Sequence, residues 1–284
     1  MKDPYLFIDS YLEKLDWDIS LVQKLRRYPL TSSYQNYPFY FLDDSDEGFD
    51  QLFLANYFLF QHVLLLDKSI DTGIIDTEAL SLSNSCLEKS VLFFADFFDD
   101  KNEFWTSWAR CRAEWLKAVK IDKEFNINMS CEEFERQSDR KHSFTKVIIH
   151  ASYSLGQVNE QEKDALIKSN YCFNRAVQLF DDLLDVKEDI ENKQANYVLA
   201  EFLRLDNNYE TEFLLENPVI ANKLIFVKGY LPHFESKGLK YLDQAKQQVD
   251  QKKFYRWIDC IEVKRNNHLE NFSKMGEVLD KLKN

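Results

Sequence analysis

The 284 residues carry 36 Lys and Arg against 48 Asp and Glu, a formal net charge of −12. Aromatics make up 15% of the chain, with 23 Phe and 14 Tyr, while Gly and Pro number only 6 and 5. This excludes sandwiches, barrels and dinucleotide-binding α/β domains, which need glycine-rich turns at short intervals, and the acidic surface argues against nucleic acid or an anionic membrane as partner.

No apolar run closed by small residues follows Met1, so no secretory signal is read. Cys86, Cys111, Cys131, Cys172 and Cys260 are an odd set without CxxC spacing, as free thiols of a cytoplasmic protein would be. Helical periodicity starts near Tyr11 and runs to the basic end Lys24, Arg26, Arg27, with Pro29 beyond. The stretch from Pro29 to Asp50 reads as irregular, with a solvated acidic run at Asp43, Asp44, Asp46 and Glu47. Gln51 to Leu66, QLFLANYFLFQHVLLL, is apolar on every face. Interrupted by Asn56, Gln61 and His62, it reads as a buried helix and not a transmembrane segment. Further helices are expected over Ser83–Phe98, Glu103–Val119, Cys131–Ser154, Glu160–Glu191, from Pro218 to Lys246 with a break near Pro232, and Phe254–Leu282. With no repeat and no linker, the expected architecture is a single all-α domain, 1–284, of eight to eleven helices.

Two carboxylate clusters carry the chemistry. In Tyr171–Tyr197, at about 100° per residue, Asn174, Gln178, Asp181, Asp185 and Asp189 fall on one arc. Like charges stacked at i, i+4 and i+8 destabilise a helix unless a cation binds them. Hard oxygen donors without a Cys or His cluster point to Mg²⁺ or Mn²⁺. The second pair, Asp67 and Asp71, stands at the C-terminal end of the apolar helix, where the helix dipole disfavours anions. Two such clusters facing each other across a helical bundle would suit a metal-bound diphosphate, with an aromatic wall for an apolar chain. His62 reads as a hydrogen-bonded core histidine, and Asp96, Asp99 and Asp100 as a solvated cap, rivalling Asp67 and Asp71 only weakly.

Gln178–Asp189, QLFDDLLDVKED, resembles the second Asp-rich motif of the class I isoprenoid synthase superfamily, and Asp67-Lys-Ser-Ile-Asp71 resembles its first motif in DxxxD form. The fuller DDxxD form is absent, as are the Tyr-Cys…Ala-Gly…Gly run of squalene and phytoene synthases and the Gly-Gly-Lys loop of prenyl synthases. The nearest resemblance is therefore to compact terpene synthases. It implies a lyase of isoprenoid biosynthesis that ionises a linear prenyl diphosphate with Mg²⁺ and releases a terpene hydrocarbon or alcohol. Asp67, Asp71, Asp181, Asp185 and Asp189 would be its metal-binding and catalytic residues. Lys141, Lys146 and Arg265 stand where the superfamily often places diphosphate-binding cations. Arg175, at the edge of the carboxylate arc, and the amides of Asn174 and Gln178 complete the substrate-binding set. Related enzymes are often homodimers; the sequence itself leaves the oligomeric state open. The alternatives are a prenyltransferase joining two isoprenoid diphosphates, head-to-head or by chain elongation, and a non-catalytic helical scaffold.

Overall fold

The computed structural model of the protein describes residues 4–15, 17, 21–23, 25, 33–72, 76–122 and 125–283. Among these it has thirteen α-helices, two short 3₁₀ helices and no strand, so the expected all-α class holds. The chain forms two compact units, Met1–Thr106 and Ser107–Asn284, with the boundary inside one helix.

The first unit contains α1 (Pro4–Leu12), a 3₁₀ turn (Ser33–Asn36), α2 (Tyr37–Phe41), α3 (Phe49–Thr72) and α4 (Thr77–Ala95). The helix expected from Tyr11 to Arg27 is interrupted: α1 starts earlier, at Pro4, and stops at Leu12, residues 13–15 form a turn, and residues 21–23 and 25 are helical again, while residues 16, 18–20, 24, 26 and 27 of that expectation lie outside the described residues. Every residue of α3 from Leu52 to Val63 is buried, as its all-round apolarity requires. Each large apolar side chain so enclosed contributes about 1.5–3 kcal/mol. Two of the polar side chains of α3 find partners, while the Gln61 amide is buried without one among the described residues. Asn56 donates to the carbonyls of Tyr34 and Gln35, and His62 Nδ1 lies 2.8 Å from Ser83 Oγ of α4. His62 is thus the core histidine its context suggested. Asp76 caps α4 by accepting from the Glu78 and Ala79 amides. The run Asp43–Glu47 is exposed, as expected.

α5 (Glu103–Asp122) carries the chain into the second unit. There follow α6 (Cys131–Lys141), a 3₁₀ turn (Ser143–Thr145), α7 (Lys146–Ser154), α8 (Glu160–Glu191), α9 (Tyr197–Leu205), α10 (Thr211–Glu216), α11 (Pro218–Val227), α12 (Leu231–Gln247) and α13 (Tyr255–Lys283). One helix was expected from Cys131 to Ser154, but hydroxyls compete with its backbone ladder. Ser143 Oγ donates to the Cys111 carbonyl at 2.6 Å, and Thr145 Oγ1 to the His142 carbonyl at 2.6 Å, which breaks the helix after Lys141. α9 and α10 were not anticipated.

α8 is the centre of this unit, packed by α6, α7, α9, α11 and α12. Ser169 donates to the Ala245 carbonyl of α12 and accepts from the Trp257 indole of α13, so one buried hydroxyl ties three helices. Farther along, Gly238 of α12 lies against the Phe180 ring; a Cβ there would come within 2.3 Å of it. The Phe180 ring also lies against the His268 ring of α13, tilted from it by 32°.

Candidate active site

α8 begins at a capping box in which Asn159 and Glu162 satisfy each other's backbone amides, and it runs 32 residues without interruption. The acidic segment occupies its last turns. Neighbouring residues on a helix diverge by about 100°, and the pair Asp181-Asp182 divides accordingly. Asp181 and Asp185, one turn apart, are exposed on the same face, whereas Asp182 is buried.

Asp182 is structural. It accepts from the Tyr197 amide at 2.9 Å and from Gln178 Nε2 at 2.6 Å. Burial nevertheless pushes its carboxyl up to about 7, against the pull of Lys141 and these two donors. Asn196 completes the anchor. Its Nδ2 donates to the Asp182 carbonyl and to Asp189 Oδ2, each at 2.7 Å, while its Oδ1 caps α9 through the Leu199 amide. The turn from α8 to α9 is thereby pinned beneath the exposed pair. Asp189 is drawn into that turn, while Asp181 and Asp185 remain directed to solvent.

Asp181 is open to water but hemmed in by protein. That environment raises its carboxyl to about 6, with Asp185 adding to the rise and Lys264 and Lys141 opposing it. Asp185 is also raised, first by burial and then by Glu188, and again Lys141 opposes. Two cations, from the end of α6 and the middle of α13, therefore act on the exposed carboxylates.

The other expected substrate residues are held in internal contacts. Arg175 makes a bidentate pair with Asp139 at 3.0 and 2.6 Å and a bridge to Glu135 at 3.2 Å. Lys146 is buried, its ammonium donating to Glu114 at 2.8 Å and to the Tyr171 hydroxyl at 3.2 Å. Asn174 is fully buried and donates to Asn170. Gln178 serves Asp182, and Arg265 lies 3.4 Å from Asp243. On α13 the residue that acts on Asp181 is Lys264, the neighbour of the expected Arg265.

Asp182 and Asn196 were missed by the sequence reading. Asn196 had a legible signal, an Asn immediately before an apolar helical run. Asp182 had none, because only the packing of α9 shows which aspartate turns inward.

In the first unit, Asp67 is half-buried on the last turns of α3. The helix continues through Thr72, so the backbone keeps Asp67 and Asp71 one turn apart; the Asp71 side chain lies outside the described residues. Asp96, Asp99 and Asp100 are exposed at the end of α4, and Asp99 accepts from the Lys101 amide as a turn residue does.

Among the described residues no group of three or more His, Cys, Asp or Glu is gathered as a metal cage. Two exposed carboxylates on one helical face nevertheless fit Mg²⁺, which takes one or two carboxylates and completes its shell with water and phosphate oxygens. No helix among the described residues is long and apolar enough to cross a membrane.

No protein-family model matches the sequence, and no curated protein sequence matches it. Solved structures do. A decaprenyl diphosphate synthase from Rhodobacter capsulatus superposes with a TM-score of 0.75 at 12% identity, over 93% of this chain and 96% of that one. A heptaprenyl diphosphate synthase from Staphylococcus aureus gives 0.71 at 15%, over 92% and 97%. A geranylgeranyl pyrophosphate synthetase from the archaeon Geoglobus acetivorans gives 0.67 at 14%, over 92% and 95%.

The fold is that of the prenyl diphosphate synthases. This corrects the sequence reading: the matched structures are prenyl diphosphate synthases, not compact terpene synthases or squalene- and phytoene-type enzymes. The terpene synthase and carbon–oxygen lyase assignments fall with it. The motif form had favoured them because the full DDxxD and the Gly-Gly-Lys loop are absent. Backbone architecture, which those few residues do not report, points the other way.

Proposed function

We propose that the protein is a Mg²⁺-dependent prenyltransferase that joins an allylic prenyl diphosphate to a second isoprenoid diphosphate and releases diphosphate. The observation that carries this reading is the exposed Asp181–Asp185 pair, flanked by Lys141 and Lys264, in a chain with the prenyl diphosphate synthase fold. Magnesium dependence is typical of enzymes with this fold.

In the proposed reaction Asp181 and Asp185 hold the metal in the second unit, with Asp189 as a third donor, and Asp67 and Asp71 serve as the first motif. Bound Mg²⁺ would neutralise the departing diphosphate. Lys141 and Lys264 attract the diphosphate and favour the ionised carboxylates that metal binding requires. The tie from Asp182 and Asn196 to α9 fixes the last turns of α8, so the exposed carboxylates are presented in a set geometry. We also read the whole chain as one functional domain, since the structural likeness covers more than nine-tenths of it. The free cysteines support a cytoplasmic location, and a homodimer is the expected assembly.

The test is incubation of the protein with geranyl, farnesyl or geranylgeranyl diphosphate together with isopentenyl diphosphate, with and without Mg²⁺. Longer prenyl diphosphates formed only with Mg²⁺ and lost in Asp181→Asn are expected. No elongated product from any pair would overturn the proposal. A second reading, a non-catalytic helical subunit, is favoured by one observation: position 68 is Lys where the full DDxxD motif has Asp.

A further inference from the structure

Of the eleven large apolar side chains that stand exposed among the described residues, five fall within residues 205–227 of the second unit. They centre on α11, PVIANKLIFV, which carries a single charge and is apolar nearly all round. A helix of that kind is normally enclosed, yet this one is enclosed on one side only. It packs on α8, and its Ala221 and Ile225 are buried. At about 100° per residue, Val219, Ile220, Lys223 and Val227 share an arc on the opposite side, and the three apolar ones are 48%, 39% and 56% exposed. Phe213 of α10 adds another exposed ring. Single apolar residues scattered over a surface need no explanation, whereas a gathered set marks an interaction face.

The charges around this face decide what covers it. They are sorted by sign along the chain. Glu210, Glu212 and Glu216 precede the apolar arc, Lys223 lies within it and Lys228 follows it, and all five are exposed. Lys228 rests on the Tyr209 ring, but Glu212, Glu216 and Lys223 make no hydrogen bond or ion pair with any described residue. A surface that is acidic at one end and basic at the other is complementary to itself when turned end for end. Residues 216 and 223 are equally far in sequence from the midpoint between Val219 and Ile220. An antiparallel pair of α11 helices about that midpoint therefore sets Glu216 of each copy towards Lys223 of the other and covers both apolar arcs. An anionic lipid surface would instead be repelled by the three glutamates.

The geometry points to this face as an isologous contact between two copies of the chain. It gives the expected homodimer a place on the molecule, and it rests on no part of the prenyltransferase reading, since α10 and α11 carry no candidate catalytic residue. Two short helices make a small interface, so the association is concentration-dependent.

The test is sedimentation velocity of the full chain across a wide range of concentration. Reversible association of the wild type is expected, weakened by about tenfold or more in Glu216→Lys and in Lys223→Glu. An equimolar mixture of these two variants is expected to regain it, because each then meets the opposite charge on the other. Val219→Asp places an acid in the first turn of α11, where the helix dipole favours it, and is expected to weaken association without lowering the melting temperature. A chain that stays monomeric, association untouched by both reversals, or a mixture no better than its components overturns the proposal. So does flotation of the wild type with anionic phospholipid vesicles that Val219→Asp abolishes, which would assign the face to lipid. Where copies also meet through another surface, the reversals remove one association step and leave the other, and the mixture restores the lost one. None of these readouts needs turnover, so failure here leaves the prenyltransferase proposal standing.

Discussion

Replacing His142 with Asn is expected to remove an acid-sensitive component of stability. His142 closes α6, where its Nδ1 donates to the Ser138 carbonyl at 3.0 Å. Burial, aided by Lys141 and Lys264, pushes the imidazole from 6.5 down to about 4. An unfolded chain therefore takes up a proton between pH 6.5 and 4 that the folded chain refuses. The stabilisation is present above pH 6.5 and is lost as pH falls toward 4. At pH 5 the unfolded imidazole is almost wholly protonated and the folded one mostly neutral, a difference of about 1.5 pH units, or about 2 kcal/mol. Asn cannot ionise, yet its amide can donate to the same carbonyl at a helix C-terminus. Urea unfolding of both proteins at pH 7.5 and pH 5 isolates the term, since every other titrating group is common to the two. His142→Asn is expected to be less stable by about 1 kcal/mol at pH 7.5, and to equal or exceed wild type at pH 5. A wild-type-minus-variant difference that stays constant over this range would refute a neutral, buried His142.

Four further outcomes follow from the same geometry. Asn196→Ala removes the α9 cap and the bonds to Asp182 and Asp189, and should cost about 1–3 kcal/mol, measurable as a lower urea midpoint with an unchanged slope. Gly238→Ala would drive a methyl into the Phe180 ring; a loss of about 1–3 kcal/mol is expected, and an unperturbed thermal midpoint would show that the ring moves freely. On the proposed function, Asp181→Asn should lower Mg²⁺-dependent turnover by about 100-fold or more while leaving the circular dichroism melt near wild type. With Asp181 at about 6, wild-type activity should also fall as pH drops through that value, because the protonated carboxyl cannot ligate metal. A flat pH–rate profile from 7.5 to 5 would contradict that role.

Much of the fold was readable from the chain because long helices leave a strong periodic signal. The helix expected over Glu160–Glu191 is observed with those bounds, opened by a capping box at Asn159 and Glu162. α3 declared itself by having no polar face, and its burial from Leu52 to Val63 follows directly. The exposed Asp181–Asp185 pair was likewise legible, since i, i+4 spacing on a helix is a local property.

What local pattern could not supply was decided by contacts distant in sequence. The break after Lys141 depends on a Ser143 hydroxyl finding the Cys111 carbonyl, 32 residues away. The inward turn of Asp182 depends on α9 presenting the Tyr197 amide, and the partnerships of Lys146 and Arg175 depend on acids carried by α5 and α6. The resemblance and the helical wheel offered Lys141, Lys146, Arg175 and Arg265 to a substrate; only tertiary packing shows that Lys146, Arg175 and Arg265 stand in ion pairs and that Lys141 and Lys264 act on the carboxylates. The likeness of fold was also a matter of the third dimension. At 12–15% identity the same helical scaffold is reached, because many apolar side chains of about the right volume fill such a core, whereas a motif read from a few residues had suggested compact terpene synthases.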